Sequence, residues 1–316
     1  MKKILVTGAL GQVGSELVMK MRNIYGQDNV IATDLKFKEC EAATAGPFET
    51  LDVTDGKAMS ELVSKYKADT IIHLAALLSA TAEKDPSLAW NINMGGLKNV
   101  LDIGKEQGCS IFTPSSIAAF GPLTPADLTP QDTIQRPSTI YGVTKVAGEV
   151  LSDYYHKKFG VDARGVRFPG LISYETLPGG GTTDYAVHIY YEALKNKKFS
   201  CPLKKGTFMD MMYMPDALDA VVNLMEADGS KLIHRNAFNI TAMSFDPEEI
   251  AQSIKKYMPE FEMTYDLNPT LQGIADSWPN SIDDTAARNE WGWSPKYDLD
   301  KMTQDMFAKL KIKFEK

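Results

Sequence analysis

The sequence predicts an α/β protein: a doubly wound parallel sheet followed by a smaller C-terminal α/β region. Three observations predict it. Short β-branched runs alternate with stretches of helical periodicity through the first 170 residues, a glycine triplet marks the first strand–helix junction, and "DTIIHLAA" is apolar without alternation. Alternating strands and helices imply parallel strands covered on both faces, and an unbroken apolar run is what a strand buried on both faces requires.

"KILVT" forms the first strand and stops at Gly8. From Gln12 to Ile24 the pattern turns helical, with Val13, Leu17, Val18 and Met21 on one face. "NVIATD" is the second strand and "FETLDVTD" holds the third. "AMSELVSKY" is helical, "DTIIHLAA" is the fourth strand, a long helix runs from about Pro86 to Gly108, and "SIFTPSS" is the fifth strand. After "VRFPG" near residue 170 the loops lengthen, and Pro178 to Gly181 cluster. The expected division is a nucleotide-binding domain over 1–170 and a mainly substrate-binding region over 171–316. "MMYMPDALDAVVNLMEA" reads as a further strand–turn–helix unit that returns the chain to the first domain near 209–230. No internal repeat or low-complexity segment is found.

The 316 residues are 44% hydrophobic and 24% charged, ordinary for a soluble globular chain, and the formal net charge of −7 argues against nucleic acid or an anionic membrane as the main partner. Three scattered cysteines (Cys40, Cys109, Cys201) fit a reducing compartment better than a disulfide framework. The four histidines are far apart, so no metal site is expected. "MKKILVTGAL" is too short an apolar run for a signal peptide, and no stretch reaches the ~20 apolar residues that span a bilayer. A cytoplasmic location is expected.

"TGALGQVG" places Gly8, Gly11 and Gly14 at three-residue spacing. Glycine permits the tight turn and close backbone approach to a pyrophosphate. The helix start at Gln12 and Val13 supplies N–H groups and partial positive charge, so the sheet is of Rossmann type. Asp34 ends the second strand, 34 − 14 = 20 residues past the last glycine. A carboxylate there accepts hydrogen bonds from ribose hydroxyls and repels a 2′-phosphate, favouring NAD over NADP; Lys36 and Lys38 nearby argue the other way, and a solvated strand end is the plain alternative. Asp52 is expected at the end of the third strand, within reach of an adenine, or in an Asx-turn. Leu74, Ala75 and Ala76 suit backbone passing close to the cofactor. His73 reads as a packed strand histidine.

Tyr141 and Lys145 in "TIYGVTK" share a helix face at i,i+4. A tyrosine is a poor base near its ordinary pKa of ~10. A neighbouring ammonium stabilises the phenolate, so a lowered Tyr141 pKa is expected. Ser116, at the end of the fifth strand, can bond the same substrate oxygen. Taken alone, Tyr-x-x-x-Lys occurs on ordinary helices; the ordered set with the glycine turn raises its meaning.

With these motifs, and with "LDVTD", "HLAA", "NINMGG", "PSSIAAFG", "RFPG", "YMPDA" and "NEWGWSP", the chain resembles the extended short-chain dehydrogenase/reductases over nearly its whole length. The resemblance implies NAD as cofactor, with Val53, Asn93 and Phe168 among its contacts, and Tyr141, Lys145 and Ser116 as the catalytic set. It does not fix the substrate, because the family includes epimerases, dehydratases, reductases and dehydrogenases. Nucleotide-sugar members carry an arginine where Met209 stands, and losing that cation disfavours a diphosphate ligand. "LLSATAEKDPSLAWNINMGG", "PGGGTTDYAVHIYYEAL" and "SWPNSID" are instead similar to members that oxidise L-threonine with NAD.

That likeness implies substrate contacts at Ser79, Gly181, Thr182, Thr183, Asp184 and Trp278. The glycine–threonine stretch at a helix start suits a carboxylate. It reads equally as a plain cap, with Thr182 or Thr183 at N-cap and Asp184 in the first turn; Trp278 reads either as a closing wall or a core aromatic. A nucleotide-sugar epimerase or reductase and a non-catalytic NAD(H)-binding protein stay open as alternatives. The resemblance also implies a homodimer through helices at about Pro86–Gly108 and Thr139–Phe159, with Val146, Val150, Tyr154 and Tyr155 facing either a partner or the core.

Overall fold

The computed structural model describes residues Met1–Glu315. Its strands are β1 (Ile4–Thr7), β2 (Val30–Asp34), β3 (Phe48–Thr50), β4 (Thr70–His73), β5 (Ser110–Phe112), β6 (Ser115–Ser116), β7 (Ala163–Arg164), β8 (Val166–Phe168), β9 (Gly170–Ile172), β10 (Lys198–Cys201), β11 (Met209–Tyr213), β12 (Phe238–Asn239), β13 (Met243–Phe245) and β14 (Glu262–Tyr265). Six of them form an all-parallel sheet in the order β3-β2-β1-β4-β5-β7. This is the doubly wound arrangement, whose order reverses beside β1 and leaves a crevice at the strand C-termini.

The helices are α1 (Gln12–Tyr25), α2 (Glu41–Thr44), α3 (Gly56–Tyr66), α4 (Ser79–Ala82), α5 (Pro86–Trp90), α6 (Gly96–Gln107), α7 (Ile140–Phe159), α8 (Tyr185–Asn196), α9 (Met214–Glu226), α10 (Pro247–Tyr257), α11 (Pro269–Ala275), α12 (Thr285–Trp291) and α13 (Leu299–Glu315). Side chains alternate across each strand, so β1 feeds two cores. Ile4 and Val6 join Leu17, Val18 and Met21 of α1 and Ala217 and Val221 of α9 on one face. Leu5 joins Met59 and Val63 of α3 and Val100 and Leu101 of α6 on the other. Each fully buried aliphatic side chain contributes about 2 kcal/mol of transfer free energy. That double burial is why β1, β2 and β4 read as continuous apolar runs. α9 packs against α1, and β12 adds to β8 in a second, all-parallel sheet, β6-β8-β12. A third apolar cluster gathers α8, α10, α13 and β11 in the later part of the chain. No described helix is long and apolar enough to cross a membrane.

Two elements differ from the sequence reading. The fifth strand ends at Phe112: Pro114 has no N–H to donate, and Ser115 and Ser116 leave β5 to pair with Arg167 and Phe168 of β8. The long helix starts at Pro86, where the Asp85 carboxylate accepts from the Leu88 N–H at 2.9 Å. It is then interrupted by a π-turn over Asn91–Gly95 before α6. Gly108, left-handed at φ 75°, closes it.

Candidate active site

The crevice contains a cavity of about 250 Å³ at the carboxyl ends of β1, β4 and β6. One wall is the glycine turn. Gly8 is left-handed at φ +66°, and a Cβ there would lie 2.7 Å from the Ala75 nitrogen; at Gly14 a Cβ would lie 2.2 Å from the Gly8 oxygen. These two positions exclude any side chain, so the loop lies flat against β4 and α1 starts directly behind it. Helix α1 has no side-chain cap, and the first N–H groups of a helix lack intrahelical partners. Gln12 and Val13 therefore present free amides at the cavity, and Gln12 Nε2 is buried without a partner among the described residues. An uncapped helix start, a cradle that a Cβ would fill and an orphaned amide fit a dinucleotide pyrophosphate.

Asp34 binds the glycine turn itself. Its carboxylate accepts from the Leu10 N–H at 2.9 Å and the Leu35 N–H at 2.8 Å. Asp52 lies two residues beyond β3, exposed, and accepts from Thr54 through both backbone N–H (2.9 Å) and hydroxyl (2.7 Å): the Asx-turn reading. Val53 is buried against Gly96. Leu74 and Ala76 line the cavity, while Ala75 lines a smaller polar recess behind Lys145 together with His73 and Asn93. His73 is paired to Thr7 Oγ1 at 2.8 Å, and burial holds its pKa down at about 3, so it is neutral and structural. Asn93, turned inward by the π-turn, bonds the Leu77 N–H at 2.8 Å, the Leu77 carbonyl at 3.1 Å and Thr144 Oγ1 at 3.2 Å, tying the β4 loop to α7.

Tyr141 and Lys145 lie in the first turns of α7, which starts cleanly because Thr139 Oγ1 accepts from the Gly142 N–H at 3.1 Å. Tyr141 and Ser116 line the same cavity, and Ser116 is the neighbour that favours the Tyr141 phenolate. Lys145 Nζ donates to the Pro114 carbonyl at 2.7 Å and lies 5.3 Å from the Tyr141 ring centroid. Ser116, Tyr141, Lys145 and Phe168 all line the cavity. The protonation states correct the sequence reading. Burial pushes the Tyr141 phenol up to about 12, with Ser116 opposing it. Burial also pulls Lys145 down to about 8 against the nearby Glu149 charge. Desolvation acts on both groups before the lysine can depress the phenol.

The opposite wall holds Ser79, Thr182, Thr183, Asp184 and Trp278. Ser79 is buried at the start of α4, and Thr182 is buried with Oγ1 lacking a partner among the described residues. Trp278 packs against the clusters containing Tyr141 and Ile117. The glycine–threonine stretch differs from both sequence readings. Asp184, not a threonine, occupies the N-cap of α8, and its Oδ2 accepts from the Gly180 N–H at 2.9 Å and the Gly181 N–H at 2.7 Å. Of the amides expected to hold a carboxylate, that of Gly181 is already held by the chain's own, while those of Thr182 and Thr183 have no partner among the described residues. Burial raises the Asp184 pKa, with those two bonds opposing. Met209 is fully buried in an apolar cluster, so position 209 brings no cation to the site.

Sequence reasoning missed Leu78, Pro114, Ser115, Ile117 and Pro169–Leu171, which complete the wall. Most lie inside the motifs "PSSIAAFG" and "RFPG". Pro114 acts through its carbonyl, which no side-chain pattern reveals.

A family model described as the NAD dependent epimerase/dehydratase family matches residues 4–241. A Staphylococcus saprophyticus protein, an uncharacterized epimerase/dehydratase, is 58% identical over 99% of this chain and 98% of its own. The X-ray structure of L-threonine dehydrogenase from Clostridium difficile is 65% identical, covers 99% of this chain and 98% of its own, and superposes with a TM-score of 0.98. A monomeric L-threonine 3-dehydrogenase from a metagenome, in its apo form, is 44% identical over 98% of this chain and 99% of its own, with a TM-score of 0.94.

Proposed function

The chain belongs to the NAD-dependent epimerase/dehydratase family, and from that premise we propose that it oxidises the Cβ hydroxyl of L-threonine to a ketone, giving 2-amino-3-oxobutyrate. One observation carries the reading: Ser116, Tyr141 and Lys145 open onto the same small cavity as the glycine turn and as Ser79 and Thr182. NAD, bound along the glycine turn, supplies the hydride acceptor and a ring carrying positive charge. Gly8, Gly11, Gly14 and the α1 N-terminus hold its pyrophosphate, Asp34 its adenosine ribose, and Leu74, Ala76, Asn93 and Phe168 frame the remainder.

Tyr141 is the base and takes the hydroxyl proton. To accept it Tyr141 must first be a phenolate. A phenol pushed up to about 12 by burial loses its own proton to solvent only beside positive charge, and the Lys145 ammonium one helical turn away is the chain's own contribution. Ser116 bonds the same oxygen and fixes its direction. Ser79 and the unpartnered Thr182 hydroxyl take the polar end of the amino acid, and Trp278 covers it. A buried methionine at position 209 is a poor match for a nucleotide-sugar diphosphate.

The dinucleotide half comprises residues 1–170 with the segment returning at 209–230; residues 171–316 otherwise build the substrate side. Free Cys40, Cys109 and Cys201 suit a cytoplasmic setting. The working form is a homodimer.

The test is NADH absorbance with L-threonine against L-serine, each with NAD and NADP. Tyr141→Phe should lower kcat by roughly 10²–10⁴ while NADH affinity is retained. A variant keeping more than about a tenth of the rate removes Tyr141 from the base role. Appreciable UDP affinity in a titration would favour the nucleotide-sugar alternative.

A further inference from the structure

Three consecutive residues, Pro114 and the two of β6, face successive turns of α7, and two of them are bonded to it. Ser116 lies beside Tyr141 at the cavity, the Pro114 carbonyl accepts from Lys145 Nζ at 2.7 Å, and between them Ser115 Oγ donates to Glu149 Oε1. Residues 141, 145 and 149 lie at i,i+4 spacing on one helix face. The first two rungs belong to the reacting groups; the third is buried and unassigned. Glu149 Oε1 also accepts from Arg167 Nε at 3.0 Å, and Oε2 accepts from Arg167 Nη2 and Gln135 Nε2, both at 2.8 Å. Arg167 is paired in register with Ser115 across β6 and β8, and its Nη1 donates to the Gln131 carbonyl at 2.8 Å and Asn239 Oδ1 at 3.0 Å.

We propose that Glu149 is a positioning residue: through Ser115 it holds Ser116 and the carbonyl that anchors Lys145 in place against Tyr141. Both carboxylate oxygens are engaged, Oε1 by Ser115 and Arg167 and Oε2 by Arg167 and Gln135, so Glu149 acts through its contacts. A buried carboxylate–guanidinium pair confers little net stability over an apolar pair. Here the pair fixes one carboxylate oxygen at the serine that lies between two active-site contacts. β6 needs such a tie because it is two residues long and Pro114 detaches it from the central sheet.

The inference rests on Ser116, Tyr141 and Lys145 being the reacting set, and Tyr141→Phe tests that set separately. Ser115→Ala removes the rung and leaves the ion pair. Its kcat per NADH-binding site, counted by fluorescence titration, should fall roughly ten- to a hundredfold, the cost of a ~1 Å misplacement. Its Tm, its KM for L-threonine and its NADH affinity should stay near wild type.

Glu149→Gln keeps an oxygen for Ser115 but leaves Arg167 without its counter-charge. Because the Glu149 charge also opposes the fall of the Lys145 pKa to about 8, the variants are compared at about pH 6, where Lys145 keeps its proton. There Glu149→Gln should show the larger loss of Tm and the smaller loss of kcat. A smaller fall in Ser115→Ala overturns the proposal, and so does the same ranking of the two variants in Tm and kcat, which marks a rate that follows stability. If Glu149→Gln does not fold, Ser115→Ala decides alone. An inactive Tyr141→Phe beside an unimpaired Ser115→Ala rejects the positioning role and leaves the reaction assignment standing.

Discussion

Asp34 serves two partners with one carboxylate. It pins the Leu10 and Leu35 amides at 2.9 and 2.8 Å, and each oxygen keeps a free lone pair for a ribose hydroxyl. Asp34→Ala should therefore loosen the glycine turn and remove the proposed ribose acceptor together. Losing a charge-assisted bond of about 1.5–3 kcal/mol should raise the Kd for NADH by roughly 10- to 100-fold. Removing the negative charge should also narrow the preference for NAD over NADP. Fluorescence titration with both reduced cofactors checks this, and an unchanged NAD/NADP ratio would locate the discrimination elsewhere. That Gly8, Gly14, Ser116, Tyr141 and Lys145 meet at one cavity, with Asp34 on the glycine turn, was legible in the sequence because each belongs to a side-chain type, or its absence, at a fixed spacing. The Asp184 bonds to Gly180 and Gly181 were not, since the partners are backbone amides whose direction only the folded loop sets. The raised Tyr141 pKa was hidden for a related reason: burial comes from β6, α4 and Trp278, all distant in sequence.

At the scale of elements, β1, α1, β2, α3 and β4 followed directly from apolar runs and helical periodicity, because both faces of the central sheet are covered. The π-turn at Asn91–Gly95 left no periodic trace, and β6 was read as the tail of β5 because a two-residue strand has no pattern of its own. Another element rests on a titrating contact. In the segment before β12, His234 Nδ1 bonds the Glu290 carboxylate of α12, and Nε2 lies 3.3 Å from Asp132. Glu290 also accepts the Ile233 and His234 N–H groups at 2.6 and 3.1 Å. Burial lowers the His234 pKa, but the bonds and charges of Glu290 and Asp132 outweigh it, and the folded value lies above the ordinary 6.5. A raised folded pKa means stability that is complete below pH 6.5 and lost as pH rises through the folded value. Wild type should thus exceed His234→Gln in Tm at pH 6, and the gap should shrink by pH 8.5. Glu16 and Asp210, buried carboxyls pushed up to about 7, titrate in the same window and cancel in the comparison. A gap that is constant across this range would show that the imidazole charge contributes nothing.

At the scale of the whole molecule, α7 carries the cavity-lining Tyr141 and Lys145 on one face and an apolar stripe on another. Val143, Val150 and Tyr154 are 40%, 62% and 52% exposed, at spacings of seven and four that align them along the helix. Leu88 and Trp90 of α5, which packs beside α7, are each 47% exposed. Tyr155 is not part of this surface: it is buried and donates to Asp102 at 2.6 Å, so it belongs to the core. A related enzyme at 44% identity is described as monomeric, so the family fold does not by itself require a partner. What favours one here is the contiguity of the exposed side chains, since scattered apolar residues are normal on a monomer and aligned ones mark contact surfaces. If the proposed dimer forms through this stripe, Val150→Asp with Tyr154→Asp should give a monomer where wild type gives a dimer in light scattering at micromolar concentration. Surface substitutions usually change fold stability by about 0.5 kcal/mol or less, so a lost dimer with an intact melting transition would identify the interface. Because Tyr141 and Lys145 lie on the same helix, the rate of the monomeric variant then tells whether pairing also steadies the site. Wild type at the mass of a single chain would end the dimer reading while leaving the chemistry at Tyr141 untouched.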